Sequence, residues 1–388
     1  MRHSIITRIA LVAAAAALWT GVAAAQSALP PQLPAGADPK DWNAYFDRGV
    51  ALLRPSPTEA DEMFRWASRI DPTRAEPYFG RWVAFHLHDS DRFVRYMEWD
   101  ESVMRNPAVI AADSFHIRAM VRNPFVHQGL AVLLYDALPG NYGTSMYTRA
   151  YLEYAEGTLD KAVYDLKLLI QRQPRMFRAR EILAQALVAQ GQFDSARVQM
   201  DSVVAALRRQ DERQLTRVYE SKSLLLYGIG LLQLAQNRPA EAREAMAQAV
   251  LEDASKWYTH RGLALALTAA GQHAEAVEEY RAALELSAAD PVLLQEYGEA
   301  LSAAGDHAAA IEQLERAVAL SPYWAEPWLS LGNAHLRAGN AAGAIGAFNG
   351  YLQRAPRSAA ETAGRVRASL AQLQQAAGST AAAPTPRD

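Results

Sequence analysis

The residues of this chain best suited to chemistry are His86, His88, Asp89 and Asp91, imidazoles and carboxylates of the kind that ligate a divalent transition metal. On a helix, two histidines two places apart point to different sides, so one ion would need the chain to turn just after them. A solvated helix end is the competing account. Any enzyme or metal-binding activity would have to act here, in the irregular stretch from His86 to His127. Gly228 and Gly230 are spaced like the start of a phosphate loop, but no strand precedes them, and both also serve as small packing residues. The chain has no G-x-S-x-G elbow, no H-E-x-x-H helix, no P-loop and no cysteine. The sequence therefore implies no catalytic residue, no resident metal and no cofactor.

What must position any site is a repeat. Alanine returns at Ala162, Ala196, Ala242, Ala276, Ala310 and Ala344, in steps of 34 residues with one step of 46. Gly157, Gly191, Gly271, Gly305 and Gly339 keep the same interval five places upstream, and Asn237 fills the remaining place. A period of this length predicts stacked helical hairpins, each too small to bury its apolar face alone. In residues 325–358, Trp328, Leu331, Gly332 and His335 stripe a first helix, and Ala344, Phe348 and Tyr351 a second. Gly339 falls at the end of the first, where left-handed dihedrals cost glycine nothing and asparagine little. The composition, 50% hydrophobic with no run of alternating β-branched residues, fits an all-α chain.

These residues resemble the tetratricopeptide repeat. The last unit carries its pattern at Trp328, Leu331, Gly332, Ala344, Phe348 and Pro356. Residues 291–324 match at Gly298, Gly305, Ala310, Ala317 and Pro322, and 257–290 at Leu263, Gly271, Ala276, Tyr280 and Ala283. Matches continue upstream through 223–256, 177–210 and 143–176, and return at about 42–74 with Gly49, Ala60, Phe64, Ala67 and Pro72. The resemblance implies a right-handed α-solenoid of about seven clear and up to nine repeats. Its expected order is a hairpin at 41–74, two decayed repeats or a helical insertion at 75–142, two repeats at 143–210, an insertion at 211–222, four repeats at 223–358 and a capping helix at 359–375.

The resemblance also implies a non-enzymatic scaffold that binds a protein or peptide in its concave groove. The family's groove places on the first helix of each hairpin fall here on Leu224, Tyr227, Leu231 and Leu234, then Tyr258, Arg261 and Leu265, then Gln295, Glu299 and Asn333. The row therefore runs from apolar to polar. An apolar face so placed either awaits a partner or is covered by the insertion at 211–222. Tyr147, Tyr151 and Tyr154 form a second aromatic stripe, expected to face the core. Members of the family that clamp chaperone C-termini use several lysines and asparagines; Asn333 stands here without a groove lysine before it.

Charge and termini bound the setting. The formal net charge is −3, with arginines scattered among carboxylates, which disfavours nucleic acid as a partner. Arg2, His3 and Arg8 precede an apolar run ending in Ala23-Ala24-Ala25, the pattern of a secretory signal cleaved before Gln26. An uncleaved membrane anchor is the alternative. The expected mature protein is periplasmic or secreted, with a Pro-rich linker at 26–40 and a disordered tail at 376–388.

Overall fold

In a computed structural model of the chain, residues 29–53, 55–74, 76–88, 143–212 and 222–381 are described. The chain divides into units 1–35 and 36–388. Residues 29–35 of the first hold no helix. The second contains all sixteen described α-helices, and no strand occurs among the described residues. The fold is an all-α repeat solenoid.

The helices pair in chain order. A first hairpin joins α1 (Trp42–Leu52) and α2 (Pro57–Ile70), and α3 (Glu76–His88) packs on α2. After residue 142 the hairpins are α4 (Gly143–Glu156) with α5 (Leu159–Arg172), α6 (Phe177–Ala189) with α7 (Phe193–Glu212), and α8 (Lys222–Ala235) with α9 (Pro239–Glu252). They continue with α10 (Trp257–Ala269) and α11 (His273–Leu286), α12 (Pro291–Ala304) and α13 (His307–Leu320), and α14 (Glu326–Arg337) and α15 (Ala341–Arg354). A 3-10 turn (Arg357–Ala359) leads into α16 (Ala360–Ala381), whose Ala363, Val366 and Leu370 cover Phe348 and Tyr351 of the last hairpin. The last core is thus closed by a single helix.

The periodic residues have their predicted physical roles. All six repeating alanines are fully buried, because a larger side chain there would push the paired helices apart. Gly157, Gly191, Gly271, Gly305 and Gly339 all have positive φ, and Asn237, with φ 57°, is the non-glycine residue that shares it among the described residues. Each ends the first helix of its hairpin in the left-handed conformation. Close approach explains the other small positions. A Cβ on Gly230 would lie 2.7 Å from Met246, and one on Gly298 would lie 2.6 Å from Leu314. Helix α12 also has a strong start, with Asp290 accepting from the backbone of Val292 and Leu293 ahead of Pro291.

Tyr147 is buried, and Tyr151 and Tyr154 pack partly buried against the same core. Arg149 stays outside that core and donates to Asp165 at 2.6 Å. The stretch from Asp89 to His127 lies outside the described residues, as do residues 1–28 and 213–221.

Candidate functional site

The first helices α8, α10, α12 and α14 bring the residues of the predicted groove row into register, because each repeat restores the same helix phase. The row is not uniformly open. Tyr227, Leu231, Tyr258 and Arg261 are buried, while Leu224, Leu234, Leu265 and Gln295 are half-buried, and Glu299 and Asn333 are exposed. Of the apolar places in the row, Tyr227 and Leu231 on α8 and Tyr258 on α10 are packed in the core.

The reason is local. Gly262 leaves the space that the Tyr227 ring fills, since a Cβ there would lie 2.6 Å from it. The Tyr227 and Tyr258 rings pack at 5.5 Å, tilted by 57°, and the Tyr258 hydroxyl lies 3.4 Å from Ser223 Oγ. Arg261 Nη1 donates to the Tyr227 hydroxyl at 3.3 Å. Burial raises the Tyr227 phenol above the ordinary tyrosine range, with Arg261 opposing, so the ring is neutral at physiological pH.

Arg261 is held by Glu296, which the groove pattern did not select. Nε donates to Oε2 at 2.8 Å and Nη2 to Oε1 at 2.6 Å, a bidentate pair. Burial pulls the guanidinium down, but Glu296 and then Tyr227 raise it further, so Arg261 remains charged. The same burial, with Glu296 nearby, pushes the Tyr280 phenol well up. Arg261 and Tyr227 spend their polar groups on this network inside the protein, and the Glu296 carboxylate keeps a small exposed part. The network's sequence signal is the pairing of opposite charges near the middle of consecutive first helices, one place beyond strict groove register.

The exposed end of the row is different. Gln295 Nε2 donates to Glu299 Oε1 at 3.0 Å, and Ser330 Oγ donates to the same oxygen at 2.6 Å. Arg337 Nη1 donates to Ser302 Oγ at 3.0 Å. Helices α12 and α14 therefore carry a carboxylate, an amide and a guanidinium held by these contacts, two of which cross between the repeats, with Asn333 exposed on α14. Ser330 and Arg337 were missed because they flank the family's groove places, while Ser302 stands at the place of Leu234 two repeats on and was not selected. Among the described residues no group of three His, Cys, Asp or Glu is placed to hold a metal ion. No described helix is long and apolar enough to cross a membrane.

A family described as the tetratricopeptide repeat matches residues 227–291 and 298–359. No curated protein sequence matches the chain. Solved structures with a similar fold include a tetratricopeptide repeat protein from Parabacteroides merdae, at 12% identity over 86% of this chain and 98% of that one, TM-score 0.41. Others are MamA from Desulfovibrio magneticus, at 17% identity over 48% and 98%, TM-score 0.40, and YrrB, described as a TPR protein with an unusual peptide-binding site, at 16% over 50% and 92%, TM-score 0.37. The similarity of this all-α solenoid to the tetratricopeptide repeat family is therefore carried by residues 227–291 and 298–359.

Proposed function

We propose that this protein is an exported, non-enzymatic scaffold that binds a partner peptide or helix along α12 and α14, in the assembly of an envelope complex. Tetratricopeptide repeats support protein–protein interaction as the general role. The observation that carries the finer reading is the exposed polar row itself. Glu299 and Asn333 stand on adjacent helices in repeat register, with Gln295 and Ser330 aiming at the Glu299 carboxylate. Oriented acceptors and amides suit an extended peptide, whose backbone and basic side chains supply the matching donors. The half-buried Leu265 supplies an apolar neighbour one repeat earlier.

The test is affinity capture from solubilised native envelope, with wild type and a Glu299→Ala, Asn333→Ala variant as baits. The variant should lose a partner that wild type retains, with binding weakened about tenfold or more if these residues are anchors. Equal recovery by both baits would move the binding surface elsewhere. Export is tested on the same material: the intact mass of the native protein should begin at Gln26, whereas retention of Met1 in a membrane pellet would refute the cleaved, soluble form.

A further inference from the structure

The two ends of the solenoid depart from the repeat pattern, and the departures meet. At the loop before α14 the chain has Tyr323 and Trp324, where the two preceding repeats have Ser255 and Lys256, then Ala289 and Asp290. In the first hairpin Trp66 stands two places after Phe64. The same place in later repeats holds Gln248, Ala282, Arg316 and Gly350. Neither aromatic position is required by hairpin packing, yet the Trp66 and Tyr323 rings lie 4.9 Å apart.

The contact is built from both sides. Trp66 and Arg69 are three places apart on α2 and so share a face. The Arg69 guanidinium lies 4.8 Å from the Trp66 ring and 5.2 Å from the Tyr323 ring, bridging them through cation–π contacts. Tyr45 of α1 backs Trp66 at 6.3 Å. Next to this cluster, Asp38 Oδ2 accepts the backbone N–H of Arg357 at 2.8 Å, and Arg357 Nη1 donates to the Gly36 carbonyl at 3.4 Å. Arg354 braces the receiving loop by donating from Nε to the Pro322 carbonyl while stacking on Trp328 at 4.3 Å.

We propose that the loop 321–324 together with Arg357 is a docking surface whose occupant is the chain's own first hairpin, residues 36–74, acting as a releasable clasp between the ends of the solenoid. Closure joins residues 319 apart in sequence, and its entropic cost rises only slowly with the length of chain enclosed. The contact is releasable because part of it stays at the surface: Tyr323 remains 37% exposed, and Asp38 reaches only the backbone N–H of an exposed arginine across the junction. Each hairpin keeps its own core when the clasp opens, since Phe46 and Phe64 pack with each other at 5.3 Å within the first hairpin. Opening therefore changes the arrangement of the ends without unfolding repeats.

The absence of natural cysteine allows a direct test. Dyes placed on Pro39→Cys and Ser358→Cys, both exposed, are followed by single-molecule energy transfer on the full chain, at dilutions where two chains do not meet. A high-transfer population is expected. Tyr323→Ser with Asp38→Ala should shift most molecules to low transfer while helicity stays at the wild-type value. Trp66→Gln should do the same; if that chain loses helicity, the Tyr323→Ser, Asp38→Ala variant alone decides. Low transfer in the parent, or high transfer retained by the Tyr323→Ser, Asp38→Ala variant, overturns the clasp.

Discussion

Arg261 and Glu296, 35 residues apart on consecutive first helices, are joined by two hydrogen bonds of 2.8 and 2.6 Å, with the guanidinium buried and the carboxylate nearly so. A pair in this position ties two repeats together more specifically than apolar packing does. It also creates a liability, because removal of either partner strands the other charge.

Arg261→Ala should therefore destabilise the protein strongly, by about 3 kcal/mol, and Glu296→Ala by somewhat less because Glu296 keeps some contact with water. The double variant Arg261→Met, Glu296→Leu should recover most of the loss. Urea melts of the four proteins in a double-mutant cycle would measure this. Additive losses in the single variants, with no recovery, would show that the pair is not coupled.

Tyr227 supplies a second prediction, which separates a core residue from a binding residue. Its ring is fully buried against the backbone of Gly262, so Tyr227→Ala should cost about 3 to 5 kcal/mol, as large aromatic truncations do. Tyr227→Phe removes only the hydroxyl that accepts from Arg261 and should cost about 1 kcal/mol. A thermal melt of Tyr227→Ala that matches wild type would return this residue to the surface of the groove.

How much of this was legible follows from which signals are periodic. The alanines at 0% exposure and the positive-φ glycines recur every 34 residues, apart from one longer step, because each hairpin solves the same packing problem, and sequence spacing reports that problem directly. The faces of α8 and α10 were harder to read. Register placed Tyr227 and Arg261 on the groove side, but their burial depends on Gly262 and Glu296 of later repeats, and no single helix pattern carries those pairings. The meeting of Trp66 with Tyr323 was visible only as two unexplained aromatic departures. Joining them needs the path of the chain through every repeat between them.

Asn237 allows a backbone test. It holds φ 57° at the place where five other repeats have glycine. Asn237→Ala should cost about 1 kcal/mol, since alanine lacks the local hydrogen bonding that lets asparagine tolerate this conformation. Gly271→Ala should cost about 1 to 2 kcal/mol for the same reason, and steric contact cannot account for it, because nothing lies within 4 Å of an added Cβ there. Asn237→Gly should leave the melting temperature unchanged or slightly raised. A large loss from Asn237→Gly would mean that the side chain, and not the dihedral, holds this turn.

Ala310 tests whether stability is local, as a solenoid requires. It is fully buried, and its carbonyl lies 3.2 Å from where a Cβ on Gly298 would stand, so α12 and α13 are in near backbone contact at this point. Ala310→Leu forces the two helices apart, at a cost of about 1 to 3 kcal/mol. Each repeat leans chiefly on its neighbours, so faster amide exchange should be concentrated between α10 and α15 and fade toward α4. Exchange that rises evenly along the chain would show instead that the repeats unfold as one cooperative body, with the closed ends transmitting the damage from the last hairpins to the first.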